Sequence, residues 1–141
     1  MAGEEKDLIV TVGPWAGDVI PLLSASAHDE LVTVETVRQL VESKQAVLYR
    51  GLDGESTVWA IVVRINRCEL GDEAVIVAAG AALPGYSMTR SMVPILERIY
   101  SDAGCKRLRI NASRRGMEHE LDRLGFARMA AIFIKELDHV F

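Results

Sequence analysis

The chain has 141 residues, half of them hydrophobic and 26% charged, with a formal net charge of −4. That length fits a single domain, residues 1–141, whose core can stand without disulfide or metal staples. The acidic balance offers no overall basic field to nucleic acid, and no apolar run reaches the ~20 residues of a membrane-spanning helix. Cys68 and Cys105 stand apart, with no CxxC or histidine spacing, and read as two reduced thiols. The acidic start, MAGEEKD, is unlike a signal peptide. The expected location is the cytoplasm, and a chain carried inside a virus particle would have the same composition.

Residues 1–6 read as a disordered tail. Leu8 to Val12 is a β-branched apolar strand ended by Gly13-Pro14. Asp18 reads as a helix N-cap, with Val19, Ile20, Leu22 and Leu23 as an apolar face and Pro21 in the first turn. Ser24 to Asp29 is a polar break. Thr33 can cap a second helix, in which Val34, Val37, Leu40 and Val41 recur at helical spacing. Strand 2 is predicted over Ala46–Arg50, and Asp53-Gly54 is a strong hairpin signal. Strand 3 follows over Thr57–Ile65, and Gly71-Asp72 turns it back into strand 4, Ala74–Ala82. Strands 2 to 4 then form an antiparallel meander.

Leu83-Pro84-Gly85 ends strand 4 and opens a helix with Met88, Met92, Ile95, Leu96 and Ile99 on one face. Gly104 stops it, and strand 5 runs from Arg107 to Ala112. Strand, helix and strand make a right-handed parallel crossover. A fourth helix covers Ser113–Leu124, with Ser113 as N-cap and Gly125-Phe126 closing it. A last apolar strand is predicted over Ala127–Leu137. The order is β-αα-βββ-α-β-α-β, an α/β (α+β mixed-sheet) fold of six to seven strands with helices on both faces.

That order, with a loop running from strand 4 into the central helix and Leu124-Gly125-Phe126 after the last helix, resembles the GNAT N-acetyltransferase superfamily. The resemblance covers nearly the whole chain in element order, and rests in residues on positions 73–137. It implies an acetyl-CoA-dependent N-acyltransferase with an amine acceptor. The family holds the CoA pyrophosphate on backbone N–H groups where strand 4 meets helix 3, a place where unpaired donors and a dipole converge. The family's loop reads Gln or Arg, two residues, Gly, one residue, then Gly or Ala. The best register here is Ala82-Leu83-Pro84-Gly85-Tyr86-Ser87. By resemblance the cofactor-binding set is Ala79, Ala81, Leu83, Gly85, Tyr86, Ser87 and Met88.

The departures are specific. Ala82 replaces the polar first residue, and Pro84 removes a backbone donor. Pro94 either kinks helix 3, if the helix begins near Ser87, or sits harmlessly in a first turn capped by Ser91. Leu121 stands where the family often has the tyrosine that protonates the departing thiolate, and leucine cannot do that chemistry. The alternative function is therefore a GNAT-fold protein without catalysis, a binding or structural module of the kind found in bacteriophage virions.

No residue is assigned a catalytic role. Glu73 lies near the start of strand 4, too early to be singled out as the general base, and Glu69 and Asp72 flank a turn. His119 falls off the apolar stripe of helix 4 and His28 in a polar loop, and both read as solvated. No metal is expected. Lys106, Arg107, Arg109, Arg114 and Arg115 form a basic cluster that could meet an anionic ligand, with a solvated surface as the commoner reading. The apolar last strand needs cover, which suggests a homo-oligomer or an assembly partner.

Overall fold

The computed structural model describes residues 8–24, 33–82, 88–110, 115–129, 133, 135 and 137. The described elements are β1 (Ile9–Val12), a 3-10 turn (Gly17–Val19) running into α1 (Ile20–Ser24), α2 (Val34–Glu42), β2 (Ala46–Asp53), β3 (Ser56–Asn66), β4 (Glu73–Ala81), α3 (Met88–Asp102), β5 (Arg107–Ile110) and α4 (Arg115–Arg123). The five described strands form one sheet in the order β1-β2-β3-β4-β5. β1 to β4 pair antiparallel, and β5 pairs with β4 in parallel. The predicted meander and crossover are both present. Of the predicted last strand, residues 127–129, 133, 135 and 137 are not in a strand, and the others lie outside the described residues.

β3 explains why helices must lie on both sides. Its residues Trp59 to Val63 are all buried, and alternate side chains feed two separate cores. Ala60 and Val62 join Val19, Leu23, Val37, Val41 and Leu48 beneath α1 and α2. Trp59, Ile61 and Val63 join Tyr49, Met92, Leu96 and Tyr100 beneath α3. The inward face of α3 is thus Met92, Val93, Leu96 and Tyr100, while Ile95 and Ile99 are exposed. This corrects the predicted stripe by about one position around the helix. Tyr100 takes the inward place because its hydroxyl meets that of Tyr49 at 2.9 Å inside the core. Burial, then the Tyr49 hydrogen bond, raises the Tyr100 pKa above its ordinary 10.0. Tyr100→Phe should cost about 1–3 kcal/mol by orphaning the Tyr49 hydroxyl, and adding Tyr49→Phe should recover part of it, in urea titrations of both variants.

The helix ends follow local chemistry. Thr33 caps α2 as expected, its Oγ1 accepting from the Thr36 N–H at 3.2 Å. α2 stops at Lys44, a non-glycine residue with φ of +64°. The Lys44 N–H donates to Val41 and the Gln45 N–H to Leu40, a left-handed helix stop normally given to glycine. Lys44→Gly should therefore raise stability by roughly 1 kcal/mol, read as a higher denaturation midpoint. α4 ends as its sequence suggests: Gly125 has φ of +89°, and the Phe126 N–H donates to the Leu121 carbonyl at 3.0 Å. Pro94 lies inside α3, in the interior position of the two alternatives, where it offers no backbone N–H to the helix. Asp18 is not a cap. It lies within the 3-10 turn, and its carboxylate is taken by side chains of the sheet.

Candidate functional site

β4 carries one irregularity. Val62 pairs with Ala78 and Val63 with Ile76, so Val77 is a surplus residue with no partner on β3. The bulge changes which face each residue serves. Ala74 and Ile76 pack beneath α3, whereas Val77 and Ala78 pack beneath α1 and α2, and Ala79 returns to the α3 side. On the other edge, β4 pairs in parallel with β5 from Glu73↔Arg107 to Ile76↔Ile110, and residues 111–114, which follow β5, lie outside the described residues. The carboxyl end of β4, Val77–Ala81, leads toward α3.

Small residues line this stretch. Ala78, Ala79, Gly80 and Ala81 follow Val77. Gly80 has its own reason. A Cβ built there would lie 1.7 Å from the Leu22 carbonyl oxygen, so the backbone of α1 rests directly on β4. The predicted cofactor residues divide accordingly. Ala79 is half-buried on the α3 side, Ala81 is exposed and pairs with Trp59, and Met88 opens α3. These three lie at the end of β4 and the start of α3. Leu83, Gly85, Tyr86 and Ser87 lie outside the described residues, as do Pro84, Arg114 and His28. Ala82 leads into the loop, its N–H donating to the Val58 carbonyl at 2.8 Å.

The start of the β4–β5 pairing is held by charge. Glu73 is only 3% exposed, and its carboxylate accepts a hydrogen bond from Arg107 Nε and lies 3.6 Å from Arg109 Nη1. It ties β4 to β5 eight residues from Ala81, about 26 Å along the strand. Leu121 is 6% exposed and accepts the helix-stop hydrogen bond through its carbonyl, so its side chain serves the core. His119 is exposed, as read from the sequence. Among the described residues no cluster of three or more His, Cys, Asp or Glu could hold a metal, and no helix is long and apolar enough to cross a membrane.

Sequence reading missed a second polar group. Arg50, on β2, is 8% exposed; its Nε and Nη2 donate to the two carboxylate oxygens of Asp18 at 2.9 and 3.0 Å. The Thr57 hydroxyl donates to the same carboxylate at 2.6 Å. The Arg50 hydrogen bonds hold the Asp18 carboxyl below its ordinary pKa, against an opposing desolvation. These groups floor an open cleft bordered by Thr11, Pro14 and Glu55. It lies over β1 to β3, with Arg50 on β2 two strands, about 10 Å, from β4. An arginine in the apolar run VLYRGL was the available signal, because a charge on a buried strand needs a partner.

No family model matches the chain, and no curated protein does. Solved structures match well. An acetyltransferase from Trypanosoma brucei superposes with a TM-score of 0.71 at 14% identity, covering 93% of this chain and 100% of that one. A ribosomal-protein-alanine N-acetyltransferase from Brucella melitensis gives 0.70 at 12% identity, covering 92% and 99%. A protein described as a transcriptional regulator, from Bacillus halodurans, gives 0.68 at 18% identity, covering 92% and 100%. The chain thus has the fold of the GNAT acetyltransferases. At these identities the likeness is one of fold.

Proposed function

We propose that the protein is an acetyl-CoA-dependent N-acyltransferase. The observation that carries this reading is the Val77 bulge on β4, next to the strand end that leads to α3, in a fold shared with acetyltransferases. The residues there suit a long, thin ligand. Ala79 and Ala81 are small enough for a chain to lie along the strand, and extended backbone offers N–H and C=O groups at a regular pitch. Acetyl-CoA, when bound, supplies an activated acyl carbon and a thiolate leaving group. The chain's part is positional. The carboxyl end of β4 holds an amine against that carbon, and backbone N–H groups near the bulge polarise the carbonyl. The start of α3 faces the ligand's phosphates with unpaired helix donors.

The ammonium of the acceptor must lose a proton, and Glu73 is ill placed to take it, since two arginines already hold its carboxylate. Leu121 offers no proton to a departing thiolate. Buried in the core, it favours a second reading: a GNAT-fold binding or structural module without catalysis, as in a virus particle. Thermal unfolding with acetyl-CoA separates the two. Cofactor at a hundred times its Kd should stabilise the fold by about 2.7 kcal/mol. A shift that disappears on Gly85→Trp supports the transferase; no shift at millimolar cofactor leaves the binding module.

A further inference from the structure

Three arginines share the sheet face that carries α1 and α2. On β3, Ala60 and Val62 point to that face, and by alternation so does Arg64. On β5, Leu108 and Ile110 pack on the α3 side, which turns Arg107 and Arg109 to the same face as Arg64. The registers Arg64↔Val75 and Val75↔Arg109 place Arg64 and Arg109 in one row. Their backbones are two strands, about 10 Å, apart. The neighbouring row is Asn66, Glu73 and Arg107.

Charge in these two rows does not balance. Three guanidinium groups face one carboxylate, in a chain whose net charge is −4. Glu73 engages Arg107 and Arg109, which keep 61% and 53% of their side chains exposed. Arg64 has no ion pair among the described residues, and its Nε is buried without a hydrogen-bond partner. A buried charged donor lacking an acceptor is costly and calls for one. The row lies two residues, about 7 Å, before the Val77 bulge and on the same face.

We infer that Arg64 and Arg109 bind an oxyanion, a phosphate or carboxylate group carried by the amine acceptor. Planar guanidinium forks suit both groups, and Arg107, through Glu73, positions Arg109. The word acceptor rests on the transferase reading; anion binding does not. The test has two arms. In the first, inorganic phosphate and acetate are titrated separately at constant ionic strength, followed by arginine Nε–H NMR shifts. One of them should saturate, and Arg109→Met should weaken it about tenfold or more. Arg64→Met should do the same; if that variant fails to fold, the half-exposed Arg109 carries the test. No saturation by either anion, or equal affinity in Arg109→Met, overturns the inference.

In the second arm, transfer is compared for ethanolamine against phosphoethanolamine and for glycinamide against glycine. The anionic member of one pair should be preferred, through KM, and Arg109→Met should erase the preference. Transfer without an anionic preference defeats the inference. Phosphate binding at Arg109 with no transfer to any amine defeats the transferase reading and leaves the anion site standing.

Discussion

Gly80→Ala should unseat α1 and cost about 3 kcal/mol or more. The new methyl would sit 1.7 Å from the Leu22 carbonyl oxygen and 2.6 Å from its carbon, and both are backbone atoms. Overpacking usually costs about 1–3 kcal/mol when side chains can shift. Here a whole helix must move, and Val19 and Leu23 would leave the core with it. Gly17→Ala is the matched control, because nothing lies within 4 Å of a Cβ there. Its midpoint in guanidinium should hold or rise slightly. Similar midpoints for the two variants would mean that α1 does not rest on β4 as described.

The second large effect belongs to Asp18. Asp18→Ala leaves the Arg50 guanidinium, 8% exposed, without its carboxylate. Breaking a buried pair from one side costs about 3–5 kcal/mol, and the 37% exposure of Asp18 lowers that to about 2 kcal/mol. The pH dependence has a definite sign. Asp18 titrates lower in the folded chain than its ordinary 3.8, chiefly through Arg50. Its contribution is therefore complete above that value and is lost as pH falls through the folded pKa. Urea titrations from pH 7 to 3 should show wild-type stability falling below about pH 4. Asp18→Asn should lack this component of the slope. An identical slope in both proteins would remove Asp18 as its source.

Much of the fold was legible because its signals are local. Asp53-Gly54, Thr33, Gly104 and Gly125 are each turn or cap residues whose backbone geometry follows from their own chemistry. The buried strands were legible as apolar runs. What those runs conceal is registration. In EAVIVAAGA both faces are covered, so no alternation exists for a bulge to interrupt, and Val77 looked like any other strand residue. Pairings between distant residues were equally hidden. Asp18 fitted a helix start as well as it fits Arg50, and Tyr100 was passed over on a helix face that seemed complete with Ile95 and Ile99. The candidate site was read as a loop motif around Gly85. The structure adds the strand that leads to it, and sets Arg64 in one row with Arg109 of the basic cluster legible in the sequence.

Val77 has a consequence of its own. Ile76 and Gly80 belong on opposite sides of the sheet, and a regular strand puts residues three apart, not four, on opposite sides. A chain lacking Val77 would thus send every neighbouring side chain to its present core. A single-codon deletion would straighten β4 against β3 and leave both cores with their present side chains. The molecule would keep its architecture and lose the bulge.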